Sequence, residues 1–145
     1  MTQRQIRPLA LAVIRDDDRI LVFEAYDSVK DEKFYRLLGG GIEFGERGEE
    51  AIRRELLEEI GVEASSARYI GTLENVFVYE GEPGHELVRL YEVVLAGDVP
   101  ATPFTVLDSD SPVVWMPLSA FGGDGAAPLY PDGLLELLSA TQTRR

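Results

Sequence analysis

Three glutamates on one side of a predicted helix are the residues best able to do chemistry in this sequence. Residues 47 to 60 are rich in helix formers, and Gly61 directly after them suits the end of a helix. At about 100° per residue, Glu55, Glu58 and Glu59 share an arc of roughly 100°. These carboxylates repel one another, and their place near the C-terminal end opposes the helix dipole. A divalent cation such as Mg²⁺, which takes oxygen ligands, would turn that repulsion into coordination.

A solvated acidic face is the plain structural alternative for these glutamates. Against it, a helix built only for stability would carry Lys or Arg near its C-terminal end. The glycines Gly39 to Gly41 precede the helix and allow a close backbone approach that a Cβ would forbid. Their amides and carbonyls are able to face a phosphate or a metal, although a glycine run by itself is more often a turn.

The spacing of these residues resembles the Nudix box, G-x5-E-x7-R-E-U-x-E-E-x-G-U, in which U is apolar. Gly40, Glu46 and the run from Arg54 to Val62 fill every defined position across 23 residues. The resemblance implies a single domain over residues 1–145, an α/β/α sandwich with a mixed central sheet and a catalytic loop–helix–loop. One departure is Leu38, which stands where the family commonly has proline, and leucine does not fix φ.

The same resemblance implies hydrolysis of a nucleoside diphosphate linked to another moiety X, assisted by Mg²⁺ or Mn²⁺. It implies that Glu58 and Glu59 are metal ligands and that Glu55 is a further ligand or the base for the attacking water. A backbone carbonyl of Gly40 or its neighbour would add a ligand. The remaining site residues implied are Arg54, which orients a box glutamate as part of the catalytic group, and Glu46, which supports the site from the loop.

Residues that contact the substrate are harder to assign from the sequence. Arg36 lies close to the glycines and is preferred over the neighbouring lysines as a phosphate contact. His85, in a predicted turn, is either solvent-facing or a substrate contact. Tyr79 lies 17 residues after Val62, the spacing of a tyrosine in some diadenosine polyphosphate hydrolases of the family. Oxidised nucleoside triphosphates, ADP-ribose and nucleotide sugars stay open as substrates.

Composition restricts the class of protein. The 145 residues carry a formal charge of −12, which disfavours long nucleic acid as a partner because its phosphates would be repelled. The sequence has no cysteine, which excludes thiol nucleophiles, and its single histidine argues against a multi-histidine metal site. No apolar stretch reaches the ~18 residues of a membrane helix, so we expect a cytoplasmic protein without a membrane partner.

Relatives are commonly dimeric, which favours a homodimer slightly over a monomer.

Two other classes of function compete with hydrolysis. A Nudix-fold binding or regulatory module without catalysis would be expected to lack box glutamates, whereas all four are present here. An acidic calcium-binding protein would place oxygen ligands at alternate positions of a loop, which the triplet at residues 16–18 does not do. The triplet instead predicts a hairpin turn.

Hydrophobic patterning outlines the elements that must position the site. Residues 9–14 and 20–23 form a predicted hairpin, residues 26–33 a polar loop, and residues 34–38 a strand that leads into the glycines. Residues 1–7 form a polar, basic segment. The other predicted elements are strands at 69–79, 86–95 and 113–116, a turn-rich link at 80–84, an irregular stretch at 96–112 and a helix at 132–140.

The second side of the central helix is apolar and is predicted to pack on the sheet. It carries Ile52, Leu56, Leu57 and Ile60, although Arg53 projects among them. This pattern gives the helix one side to bury and one acidic side to leave open.

Overall fold

A computed structural model of the chain describes residues 4–105 and 111–142. They form one nine-stranded sheet with a helix on each face. Among these residues, no helix has the length and apolar character needed to cross a bilayer. The elements are β1 (Ile6–Val13), β2 (Arg15–Asp16), β3 (Arg19–Asp27), β4 (Glu32–Gly41), α1 (Gly48–Ile60), β5 (Ala64–Tyr79), β6 (Glu82–Leu95), β7 (Phe104–Thr105), β8 (Pro112–Pro117), β9 (Leu129–Tyr130) and α2 (Leu134–Gln142).

The sheet is mixed, with the strand order β5-β6-β1-β4-β3-β8-β7, β2 beside β3 and β9 beside β4. Strand β1 runs parallel to β6, and β9 runs parallel to β4. Alternate residues of β1 face opposite layers: Ala10 and Ala12 pack with α1, and Leu9 and Leu11 pack with α2. The predicted α/β/α sandwich with a mixed central sheet is therefore confirmed.

Helix α1 docks through buried side chains that include Ile52, Leu56 and Ile60. Gly61 ends it in the left-handed conformation at φ 71°, and its N–H donates to the carbonyls of Leu56 and Leu57. This is the helix end that the sequence predicts. The prediction that Leu57 packs on the sheet is wrong, since 44% of the residue is exposed.

Arg53 lies beside the docked side of α1 for a reason that the sequence pattern does not show. Its Nη1 donates to the carbonyl oxygen of Ala64 at 2.6 Å, and its Nη2 contacts Glu49 at 3.3 Å. The guanidinium thus links the helix to the first residue of β5.

The loop predicted over residues 26–33 is too long. Strands β3 and β4 extend into it, and residues 28–31 alone separate them. The side chain of Asp27 is buried and accepts N–H bonds from Val29 and Lys30 at 3.0 Å each. A carboxylate that binds backbone amides two and three residues later closes a tight turn, so the polar segment forms a hairpin tip.

Strands β5 and β6 are also longer than predicted, and Glu80 and Gly81 alone separate them. Both have positive φ, 53° and 78°, as tight two-residue hairpin turns require. This tip reaches the β3–β4 turn, where the Glu80 N–H donates to Asp27 at 3.1 Å and the Glu80 carboxylate accepts from the Ser28 N–H at 2.9 Å. The two hairpins are therefore joined at their tips.

The predicted hairpin of residues 9–14 with 20–23 is wrong for most of its length, because β4 lies between β1 and β3 and only the short β2 pairs with β3. Other differences lie near the C-terminal half. The predicted irregular stretch contains the short strand β7, and its residues 106–110 lie outside the described residues. Helix α2 begins at Leu134, two residues later than predicted. Leu38, the departure from the Nudix pattern, is fully buried and pairs with Ala12, so the β1–β4 ladder sets its backbone conformation.

Leu56→Ala should lower the free energy of unfolding by about 2–5 kcal/mol, because it empties a fully buried site between α1 and the sheet. Leu57→Ala on the same helix should cost only about 0.5 kcal/mol, since that side chain already contacts water. Urea unfolding followed by circular dichroism measures both. Equal losses for the two variants would contradict the helix orientation.

Candidate active site

The guanidinium of Arg54 lies at the centre of the carboxylates on α1 and the preceding loop. Its Nε and Nη2 donate to the two oxygens of Glu46 at 2.8 and 2.9 Å. Its Nη1 donates to Glu55 at 3.0 Å and lies 3.3 Å from both oxygens of Glu58, and its Nη2 also reaches the Gly41 carbonyl at 3.0 Å. The Arg54 guanidinium therefore offsets the mutual repulsion of three carboxylates. The helix sequence alone does not explain how that repulsion is offset.

Glycines at the end of β4 let the strand touch the acidic side of α1. The Gly39 N–H donates to Glu59 at 2.9 Å. A Cβ on Gly40 would lie 2.6 Å from the Glu55 carboxylate, and a Cβ on Gly39 would lie 2.1 Å from the carbonyl oxygen of Ala10. Gly39 also has a φ of 138°, which L side chains rarely adopt. Glycine is thus required at position 39, whereas a Cβ at position 40 would displace the Glu55 carboxylate.

Glu46 is held in its ionised form. Hydrogen bonds from Arg54, together with the N–H of Glu43, lower the pKa of Glu46 from 4.5 to about 2. Its side chain is 16% exposed. At neutral pH it is therefore a fixed negative partner that orients the Arg54 guanidinium toward the helix glutamates.

A small cavity opens beside this cluster, and we call it the glutamate cavity. Its volume is about 370 Å³. Glu55, whose side chain is 17% exposed, is the helix glutamate that lines it, whereas the side chain of Glu58 is 54% exposed. The lining residues are Gln5, Ile6, Arg7, Pro8, Gly41, Ile42, Glu43 and Glu55.

The donor set suits a hard divalent cation in its chemistry. Glu55, Glu58, Glu59 and the nearby glycine carbonyls supply oxygen donors, which Mg²⁺ and Mn²⁺ prefer. Within residues 4–105 and 111–142, no three acidic or histidine side chains converge on one point as metal ligands do. Glu55 and Glu58 point to Arg54, and Glu59 points to Gly39. Side-chain rotation of the exposed Glu58 is therefore needed before it binds a cation.

A second cavity, which we call the aromatic cavity, lies between the β3–β4 and β5–β6 hairpins. Its volume is about 370 Å³. The structure brings Arg36 and Tyr79 together in its wall. The Phe34 ring meets Tyr79 and Tyr130 edge-on, with centroids 5.8 and 5.3 Å away. The lining residues are Arg7, Phe23, Ala25, Asp27, Glu32, Phe34, Arg36, Asn75, Phe77, Val78, Tyr79, Glu86, Ser111 and Tyr130.

Arg7 connects the two cavities, because it lines both of them. Glu86, whose side chain is 7% exposed, lies 3.8 Å from the Arg7 guanidinium and 3.7 Å from that of Arg36. Sequence reasoning missed Arg7, which it placed in the polar N-terminal segment. Only the pairing of β1 with β6, which sets Arg7 opposite Glu86, shows its position.

His85 lies in the wall of neither cavity. Its Nε2 is 2.6 Å from a carboxylate oxygen of Glu74, and it lines a separate surface pocket that it shares with Arg7 and Tyr79. The structure therefore does not bring His85 to the helix glutamates.

Comparison with known proteins identifies the family. The sequence model of the NUDIX domain matches residues 5–135, which is most of the chain. The chain belongs to the Nudix family. Nudix hydrolases generally use divalent metals and act on small nucleotide substrates.

Two curated Nudix relatives match less than half of this chain. The human mitochondrial NAD(P)H pyrophosphatase NUDT13 is 38% identical over 65 residues, which is 45% of this chain and 18% of that protein. The NAD-capped RNA hydrolase NudC of Escherichia coli is 36% identical over 66 residues, which is 46% of this chain and 25% of that protein. The matched segments thus span a quarter or less of those relatives.

Solved structures support the Nudix fold over nearly the whole chain. The crystal structure of the MutT NUDIX hydrolase from Burkholderia pseudomallei superimposes with a TM-score of 0.67. The superposition covers 93% of this chain and 98% of the Burkholderia chain, at 22% sequence identity. At that identity the likeness concerns the fold.

Glu46→Gln should flatten the acid limb of the stability profile. A carboxylate whose pKa is lowered on folding stabilises the protein above its ordinary pKa, and that contribution disappears as the pH falls from about 4.5 toward 2. Thermal unfolding of both proteins at pH 7 and pH 2.5 measures the effect, and the wild type should lose more Tm between them. Glu63→Gln, at an exposed position after α1, should keep the wild-type profile. An unchanged acid limb in Glu46→Gln would contradict the Arg54–Glu46 pairing.

Proposed function

We propose that this Nudix protein hydrolyses the diphosphate bond of a nucleoside diphosphate linked to another moiety X, with Mg²⁺ or Mn²⁺ as cofactor. The observation that carries the proposal is the Arg54-centred cluster, which directs Glu55 into a cavity joined through Arg7 to the aromatic cavity. This arrangement offers carboxylates to bind a divalent metal ion and a carboxylate base for the attacking water. It also offers an arginine to bind phosphate and an aromatic-lined space to bind a ring.

Glu55 is the proposed base for the attacking water. It is the helix glutamate in the wall of the glutamate cavity, and its carboxylate lies beside Gly40. Arg54 holds one of its oxygens and orients the other, so the carboxylate is positioned before the substrate arrives. Arg54 and Glu46 act as positioning residues for this base.

Glu58 and Glu59 are the proposed ligands of the cation, with a carbonyl of Gly40 or its neighbour. When bound, a divalent cation would neutralise phosphate charge and lower the pKa of a bound water. Because α1 is docked by buried leucine and isoleucine side chains, its carboxylates project from a rigid support.

Arg7 and Arg36 are the proposed phosphate contacts. Arg7 lies between the two cavities, on the route that a diphosphate must take if one end of the substrate occupies each. Glu86 lies near both guanidinium groups without a hydrogen bond to either, so they keep donors for phosphate oxygens. Tyr79 is a proposed wall of the ring-binding space, and His85 is a further proposed substrate contact from the separate pocket that it shares with Tyr79.

Adenine dinucleotides and other ADP derivatives are the substrates we favour. The names of NUDT13 and NudC describe action on NAD(P)H and on NAD-capped RNA, and each of these compounds contains an adenosine diphosphate unit. Diadenosine polyphosphates and ADP-ribose contain the same unit, and oxidised nucleoside triphosphates and other nucleotide sugars are alternatives. A cytoplasmic location and a homodimer complete the proposal.

Substitution of the helix glutamates separates the proposed base from the proposed ligands. Glu55→Gln should lower kcat by about 10²–10⁴-fold, because it removes the group that takes the proton from water. Glu58→Gln and Glu59→Gln should weaken Mn²⁺ binding, measured by isothermal titration calorimetry, and reduce turnover of ADP-ribose. Glu63→Gln should match the wild type in both assays. Near-normal Mg²⁺-dependent turnover in both ligand variants would overturn their assignment.

Arg7→Ala should raise the KM for a diphosphate-linked nucleotide by about tenfold or more, the effect expected when a charge-assisted hydrogen bond is lost. Arg68→Ala is a matched control, because the Arg68 side chain is comparably exposed, at 67% against 62%, and is paired with Glu92. Steady-state kinetics on a panel of diphosphate-linked nucleotides, with products identified by mass, gives KM and the cleaved bond together. An Arg7→Ala enzyme with an unchanged KM would remove Arg7 from the phosphate route.

A further inference from the structure

Asn75 is a buried polar residue in the aromatic cavity that the proposed chemistry does not use. It lies on β5 directly opposite Glu86 on β6, and the residue is 4% exposed. Among the residues that the structure describes, its Oδ1 has no hydrogen-bond partner. A buried acceptor without a donor destabilises a fold, so its retention in a cavity wall points to a ligand that supplies the donor.

The walls around Asn75 favour a flat, uncharged ligand. Phe34, Phe77 and Tyr130 line the cavity with aromatic faces and edges, against which a planar ring packs well. Among the lining residues that the structure describes, two arginines and three carboxylates carry charge, which gives a net negative balance. A phosphate is therefore disfavoured away from the two arginines, and the diphosphate belongs beside Arg7 and Arg36.

We infer that the aromatic cavity binds the adenine ring of the substrate and that Asn75 determines base specificity. The Asn75 Oδ1 is covered in the free protein, and rotation of the amide brings it to the ring. It then accepts an N–H of the exocyclic amino group, the group through which asparagine recognises adenine elsewhere. This inference rests on the proposed function. It orients the substrate with its base between the hairpins and its diphosphate directed past Arg7 to Glu55.

Binding of two nucleoside monophosphates tests the inference without hydrolysis, since neither has a diphosphate bond. AMP and purine riboside 5′-monophosphate differ only in the exocyclic amino group, and the second has no N–H on its ring. Isothermal titration calorimetry on the wild-type protein should give a Kd for AMP that is about tenfold lower. Equal Kd values, or no saturable binding of AMP, would overturn the inference.

Asn75→Leu extends the test to the residue itself. It should bind both monophosphates with about equal Kd, because the acceptor is lost while the rings remain. Ser66→Leu, an exposed position on the same strand, should keep the wild-type preference. A preference for AMP that persists in folded Asn75→Leu, checked by circular dichroism, would overturn the assignment to Asn75.

The outcomes for base recognition and for hydrolysis are separable. A protein that hydrolyses ADP-ribose but binds the two monophosphates equally would overturn the Asn75 inference and leave the hydrolase proposal intact. A protein that prefers AMP through Asn75 but cleaves no member of the substrate panel would overturn the hydrolase proposal and support the base site.

Discussion

The pairing of one arginine with three glutamates is the constraint on which the rest of the site depends. Glu55 and Glu58 stand one turn apart, near the end of a helix whose dipole disfavours negative charge. Arg54 lies between them and is itself held by both oxygens of Glu46, which stays ionised because of that contact. The arginine therefore allows acidic side chains to stand close together before any cation or substrate is present.

This pairing also requires that strand β4 come close to the helix, and the glycines at its end make that possible. A side chain on Gly39 or Gly40 would collide with β1 or with Glu55. The same backbone supplies the Gly39 N–H to Glu59 and the Gly41 carbonyl to Arg54. Backbone and side chains are thus parts of one hydrogen-bond network. Packing of the apolar side of α1 fixes the position of the glutamates that belong to this network.

The formal net charge of −12 does not describe the charge around each part of the site. Glu46, Glu55 and Glu58 lie around the Arg54 guanidinium, while Arg7 and Arg36 lie near the buried Glu86. A small diphosphate can therefore meet cationic donors locally on an acidic protein.

The amino-acid sequence by itself determined the family, the layered fold, the helix that carries the glutamates and the glycine that ends it. These features depend on local spacing and on periodicity, which are readable along the chain. It did not show that Leu57 faces solvent, that the two hairpins reach so far, or that Arg7 and Asn75 share a cavity with Tyr79. The exposure of Leu57 depends on how α1 docks on the sheet. The shared cavity depends on the strand register that sets Arg7 and Asn75 opposite Glu86, and the joined hairpin tips depend on the contact between Glu80 and Asp27. Only the tertiary structure decides such pairings, because they join residues that are far apart in the chain. The local sequence around one residue does not identify its distant partner.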